Sequence, residues 1–154
     1  MAHPMLPKSE RRGVMAARRP GLMPTTVVVA DDDHDLRSLI LLMLSTTPDL
    51  EVVGQAGDGA AALEVVRRTR PDVAIVDIAM PGLDGFELTR RIKREWPRTT
   101  VLVMTSLVEE VYRDTAYQNG ADAFLDKRDL PAALVATIHR TATPRPEPPP
   151  RPEA

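Results

Sequence analysis

Residues 71–85 read PDVAIVDIAMPGLDG. In this stretch the apolar run Val73–Val76 is followed by one carboxylate, Asp77, and then by Met-Pro-Gly, which ends the extended segment. The pattern predicts a buried strand that places an acidic group at its own C-terminal end. Another apolar run, Thr26–Ala30, ends in the same way on the acids Asp31–Asp33. If the two strand ends lie side by side, several negative charges meet there, and a cation must hold them.

The composition indicates one domain of ordinary size, because 154 residues with 43% hydrophobic content supply a single core. No apolar run approaches the ~20 residues that cross a bilayer, and the N-terminus lacks the apolar segment of a secretory signal. We therefore expect a soluble, cytoplasmic protein with no membrane partner. The absence of cysteine excludes disulfides, thiolate metal ligands and a cysteine nucleophile.

The charge is distributed unevenly along the chain. Residues 1–24 carry five basic residues against one acid, residues 25–140 carry 13 against 19, and residues 141–154 balance. The acidic central segment argues against direct nucleic-acid binding. The first segment mixes prolines and arginines without apolar periodicity, and the last contains PRPEPPPRPE. We expect a disordered basic arm and a disordered Pro-rich tail on either side of a folded domain over 25–140.

Strand-like and helix-like patterns alternate five times between residues 25 and 140. Short connections between them favour parallel strands, right-handed crossovers and helices on both faces, which is a doubly wound α/β fold. Thr105 follows the fourth predicted strand and Lys127 follows the fifth. Because parallel strands end at the same edge of a sheet, these two side chains become candidate phosphate ligands beside Asp77.

Four motifs in order carry a resemblance to a known family: ADDD at 30–33, VDIAMPGLDG at 76–85, MTS at 104–106 and FLDK at 124–127. Together they resemble the receiver domain of bacterial two-component response regulators. The resemblance implies a flavodoxin-like receiver fold with a five-stranded parallel sheet in the order 2-1-3-4-5. Its ligand crevice lies at the C-terminal ends of strands 1 and 3.

The resemblance also implies a metal site. Asp32 and Asp77 would coordinate Mg²⁺ directly, together with the main-chain carbonyl of Ala79, while Asp31 would reach the ion mainly through water. An all-oxygen, partly hydrated cleft suits Mg²⁺, with Mn²⁺ as a substitute.

Further implied roles concern the phosphoryl group. Asp77 would accept it from a histidine kinase or a histidine phosphotransfer protein, and Thr105 and Lys127 would bind its oxygens. Phe124 occupies the switch position and would turn inward when Thr105 moves, reshaping a face within residues 109–140 for a target protein or a homodimer. Since we see no residues for an effector domain, we expect a stand-alone, single-domain regulator that acts by binding or by onward phosphorelay.

Two other functions compete with this interpretation. A small Mg²⁺-dependent phosphatase of the haloacid dehalogenase type also phosphorylates an aspartate, but that family has a second acid two residues later, where this chain has Ala79. A flavin or nucleotide carrier would need glycine, serine and threonine in its first loop, whereas this loop offers carboxylates. We expect a binding module that catalyses only its own phosphorylation and dephosphorylation.

Overall fold

The computed structural model describes residues 21–107 and 109–152. Within these residues, five strands alternate with five helices. The strands are β1 (Thr25–Ala30), β2 (Leu50–Ala56), β3 (Val73–Asp77), β4 (Thr100–Thr105) and β5 (Ala123–Asp126). The helices are α1 (His34–Ser45), α2 (Gly59–Thr69), α3 (Gly85–Glu95), α4 (Glu110–Gln118) and α5 (Ala132–Thr141). In this described part of the chain, none of the helices has the length and apolar character that crossing a membrane needs. Of the arm predicted for residues 1–24, residues 1–20 lie outside the described residues.

The five strands form one parallel sheet in the order β2-β1-β3-β4-β5. This confirms the predicted doubly wound architecture and its strand order. The central strand β3 pairs with β1 on one side and β4 on the other, with Ala30 opposite Val76 and Asp77 opposite Met104. The acids that follow β1 therefore emerge beside Asp77 at the C-terminal edge of the sheet.

Alternating side chains of the central strands build two cores, one on each face of the sheet. On one face, Val28 and Val76 join the buried residues of α2, α3 and α4. On the other face, Val27 and Ile75 join those of α1 and α5. Because β3 is buried on both faces, it reads as a continuous apolar run up to Asp77.

A glycine lets α3 begin directly against the backbone of Asp77. A Cβ atom at Gly85 would overlap the Asp77 carbonyl oxygen, so a larger residue would displace the loop that follows β3. The preceding Asp84 caps the helix by accepting a 2.9 Å hydrogen bond from the N–H of Glu87. The Asp-Gly pair thus fixes both the end of the loop and the start of the helix.

The sequence pattern around the last helix predicts a start near Asp129 with Pro131 in the first turn, and the structure differs from this prediction. A short 3₁₀ turn, Lys127–Asp129, follows β5, and the Leu130–Pro131 peptide bond is cis. Leu130 is extended, with φ −75° and ψ 146°, and α5 begins only at Ala132. The residue before a proline disfavours helical backbone, which accounts for the later start.

Part of the C-terminal tail contacts the folded domain, although the sequence predicts that the tail is unpacked. The N–H of Met23 donates to the carbonyl of Arg145 at 3.0 Å, and Arg145 Nε lies 2.8 Å from Asp72 Oδ1. The prediction is therefore corrected for the residues around Arg145. A single ion pair between a tail residue and a distant acid leaves no trace in local composition.

Candidate functional site

Three carboxylates meet where β1 and β3 end. One oxygen from each of Asp31, Asp32 and Asp77 lies within 4.8 Å of the others. Asp31 and Asp77 are buried, whereas Asp32 is exposed. Two carboxylates about 4 Å apart repel by roughly 4 kcal/mol at an effective dielectric constant of about 20. The fold therefore assembles the acidic cluster that the sequence predicted, and the cluster requires compensating positive charge.

The Lys127 ammonium supplies part of that charge. Its Nζ donates a 3.1 Å hydrogen bond to Asp77 Oδ2 and lies 2.9 Å from Asp31 Oδ2. No hydrogen bond to this buried oxygen is found among the described residues, so its contact with the ammonium group is an ion pair. One ammonium group cannot balance three carboxylates, so the cluster can still take a further cation.

Asp77 is held in an environment that disfavours its charge. Burial raises its pKa from 3.8 to about 6; Lys127 opposes this shift and Asp31 adds to it. The N–H of Ala79 donates to Asp77 Oδ1 at 3.2 Å and also favours the ionised form. At neutral pH the carboxylate is mostly ionised but poorly solvated, which suits a nucleophile.

Lys127 remains a cation in this site. Burial favours its neutral form, but the close contacts with Asp31 and Asp77 outweigh burial and raise the pKa of the ammonium group. Lys127 therefore offers a permanent positive charge at the end of β5, beside the acceptor oxygen of Asp77.

The donor set fits a hard divalent ion. The three side chains offer oxygen atoms, and Asp32 makes no hydrogen bond or ion pair with any other described residue. Mg²⁺ prefers such oxygen ligands and keeps several waters, for which the exposed side of Asp32 leaves room. The three clustered carboxylates, with Asp32 unpaired among the described residues, thus agree with a site of this class.

Thr105 and Phe124 take different places relative to the carboxylates. Thr105 is buried at the end of β4, one residue beyond Met104, which pairs with Asp77. Its Oγ1 accepts a 3.0 Å hydrogen bond from the N–H of Leu107. Phe124 is half-buried on β5, with the Arg113 guanidinium 5.5 Å from its ring centre. Thr105 therefore lies at the site's edge, whereas Phe124 lies toward α4.

Two hydrogen bonds of Arg37 at the site were not predicted from the sequence. Arg37 on α1 donates from Nη1 to the carbonyl oxygen of Asp31 at 2.5 Å. Its Nε donates to Gln55 Oε1 on β2 at 2.9 Å. Arg37 and Gln55 are separated along the chain, and neither belongs to a motif, so only the folded structure reveals the contact.

Comparison with known protein families adds an independent observation. The family model of the response regulator receiver domain matches residues 27–139. The chain belongs to this family. The predicted family is confirmed, and receiver domains in general bind Mg²⁺ at an acidic cluster such as the one formed by Asp31, Asp32 and Asp77.

This chain is similar to several known response regulators and receiver domains. The response regulator protein VraR of Staphylococcus saprophyticus is 34% identical over 121 residues, which are 77% of this chain and 57% of VraR. The response regulator domain of Thermotoga maritima CheB is 32% identical with a TM-score of 0.72, covering 77% of this chain and 96% of that domain. The BeF₃-activated receiver domain of Klebsiella pneumoniae RstA is 30% identical with a TM-score of 0.70. The match covers 75% of this chain and 97% of that domain. This chain thus spans little more than half of VraR.

Proposed function

We propose that this receiver domain accepts a phosphoryl group on Asp77 from a histidine kinase or a histidine phosphotransfer protein. The observation that carries the proposal is the position of Asp77. It ends the central strand, it is buried, and it lies against the Lys127 ammonium in a cluster with two further acids. Asp31 and Asp32 emerge from the other strand end, β1, and Asp31 already packs against Lys127.

Asp32, Asp77 and the main-chain carbonyl of Ala79 are the proposed direct ligands of Mg²⁺, or of Mn²⁺ in its place, with Asp31 acting mainly through water. The ion, when bound, would neutralise negative charge on the transferring phosphoryl group. Asp31 is engaged on both sides, because its Oδ1 accepts from the N–H of Asp33 at 2.9 Å and its Oδ2 faces Lys127. Asp32 has no such engagement with the described residues, which favours it as the direct ligand.

In the proposed transfer, an Asp77 carboxylate oxygen attacks the phosphorus of a phosphohistidine. The new O–P bond forms as the P–N bond breaks, and the donor imidazole leaves with the electron pair of that bond. Lys127 pairs with a phosphoryl oxygen, which offsets the growing negative charge near Asp77. The Thr105 hydroxyl binds another oxygen after giving up its hydrogen bond from Leu107.

Output is proposed to follow from that movement of Thr105. When the hydroxyl turns toward the phosphoryl group, it leaves space that the Phe124 ring can enter, and the face within residues 109–140 changes shape. That face would bind a target protein or a second copy of the chain, or Asp77 would pass the phosphoryl group onward in a phosphorelay. We place this chemistry in the cytoplasm, without a nucleic-acid or membrane partner for the receiver domain itself, and without catalysis on other substrates.

Acetyl phosphate tests the acceptor function without a cognate kinase. The full chain is incubated with this small phosphodonor in Mg²⁺ or in EDTA, and its intact mass is measured over time. We expect one phosphoryl group per chain in Mg²⁺, removed by hydroxylamine as an acyl phosphate should be, and none in EDTA. Equal modification under both conditions would contradict the proposal. Continuous release of phosphate at a rate far above loss of the phosphoprotein would instead support the phosphatase alternative.

A further inference from the structure

Arg37 makes two directed contacts beside the acidic loop. Its guanidinium is half-buried and joins three elements: α1, which carries it, the carbonyl of Asp31 after β1, and the side chain of Gln55 on β2. The peptide group that precedes the Asp31 Cα atom is also held, because the N–H of Asp31 donates to the carbonyl of Ala56 at 3.1 Å. The peptide groups on both sides of the Asp31 Cα atom are therefore anchored.

This anchoring affects the whole acidic segment. Asp31 Oδ1 accepts the N–H of Asp33 at 2.9 Å, and Asp33 in turn caps α1. Asp32 lies between these two residues and is exposed. A change in direction of the Asp31 carbonyl would rotate the following peptide, and with it the carboxylate of Asp32.

Gly57 leaves the space that the guanidinium uses. A Cβ atom at this position would lie 3.2 Å from Arg37 Nη1 and 4.0 Å from the Asp31 carbonyl oxygen. Its φ angle is outside the left-handed range, so an alanine fits the backbone but presses on the end of the arginine. Gly57→Ala therefore offers a way to disturb the contact while keeping the charge of Arg37.

We propose that Arg37 is a positioning residue for the metal site: by holding the Asp31 carbonyl, it keeps Asp31 and Asp32 directed toward Asp77. This inference rests on the proposed Mg²⁺-dependent function. It assigns Arg37 no contact with the ion or with the phosphoryl group.

Positioning and simple electrostatics predict opposite results when Arg37 is replaced. Removing a positive charge near a cation site should strengthen Mg²⁺ binding if charge alone matters. Removing a group that orients the ligands should weaken binding, typically by about 10–100-fold for such outer contacts. The direction of the change in affinity therefore separates the two roles.

The experiment measures Mg²⁺ binding by isothermal titration calorimetry, using the full chain in five forms. These are the wild type, Arg37→Gln, Arg37→Lys, Gly57→Ala and the control Arg67→Gln. The control removes the same charge from an exposed arginine on α2 that pairs with Glu64. Thermal unfolding of the metal-free proteins shows which variants fold; if Arg37→Gln does not, Arg37→Lys and Gly57→Ala carry the test.

We expect Arg37→Gln to bind Mg²⁺ at least about tenfold more weakly than the wild type. Arg37→Lys and Gly57→Ala should be weakened several-fold, because charge is retained in both but the paired contacts are not. Amide exchange at Asp32 and Asp33 in the metal-free protein should be faster in Arg37→Gln. Binding that is unchanged or tighter in the folded Arg37 variants, with a normal wild type, would overturn the positioning role. A wild type that binds no Mg²⁺ would instead overturn the proposed function, and this inference with it.

Discussion

Replacing Asp77 with asparagine should stabilise the metal-free protein at neutral pH. Burial raises the pKa of Asp77 to about 6 from its ordinary 3.8, so the folded protein binds a proton between these values that the unfolded chain has released. The free energy of unfolding therefore falls as pH rises through this window and is level above it. Asparagine resembles the neutral carboxyl group and has no such titration.

The size of the effect follows from the shift. About two pKa units correspond to roughly 3 kcal/mol, at about 1.4 kcal/mol per unit. With these two pKa values, the free energy of unfolding of the variant exceeds that of the wild type by about 3 kcal/mol at pH near 7.5. The excess is only about 1 kcal/mol at pH near 4.5. Lys127 keeps its ion pair with Asp31 in the variant, so no buried ammonium group is left without an anion.

Urea unfolding of both proteins in EDTA at several pH values tests this expectation. The quantity of interest is the difference between the two free energies of unfolding, because acids outside the cluster titrate equally in both proteins. A control, Asp84→Asn, replaces an exposed acid at a helix cap and should show no comparable gain at neutral pH. If Asp77→Asn raised the free energy of unfolding by an amount that does not depend on pH, or lowered it at neutral pH, the burial argument would be refuted.

Three further predictions concern the ligands, the tail and the output face. Asp32→Ala should weaken Mg²⁺ binding more than Asp31→Ala, because Asp31 is committed to Asp33 and Lys127; a metal titration that gave the reverse order would contradict this. Arg145→Ala should lower the free energy of unfolding in urea by less than about 1 kcal/mol, because it removes a half-exposed ion pair. Asp72→Ala should cost more, about 1–3 kcal/mol, because it also orphans the N–H of Thr26; equal costs would refute the reasoning. Beryllofluoride with Mg²⁺ should change amide exchange within residues 109–126, and changes confined to the site loops would favour relay as the whole function.

The fold was largely predictable because its determinants are local. Most strands are short apolar runs and most helices show an apolar stripe, so the alternation of elements and the strand ends follow from the sequence. Parallel pairing then brings Asp31 and Asp77 to one edge without any knowledge of contacts. The strand order came from the motifs rather than from periodicity, since the alternation alone is compatible with other orders.

Contacts between distant side chains were not predictable in the same way. The pairing of Arg37 with Gln55, of Arg145 with Asp72 and of Arg113 with the Phe124 ring depends on geometry that only the packed sheet creates. The helical pattern continues through Leu130 and so predicts a start for α5 that is earlier than the observed Ala132. The backbone restriction before Pro131 outweighed that pattern.

Identification of the phosphorylated residue decides whether Asp77 is the phosphoryl acceptor. The full chain is phosphorylated with acetyl phosphate and Mg²⁺, the acyl phosphate is reduced with borohydride, and the peptides are sequenced by mass spectrometry. Reduction converts a phosphorylated aspartate to homoserine, which marks the acceptor permanently. We expect homoserine at position 77 and unmodified acids at positions 31 and 32, with no homoserine in Asp77→Asn. Homoserine at another acid in the wild type, or modification retained by Asp77→Asn, would contradict this expectation.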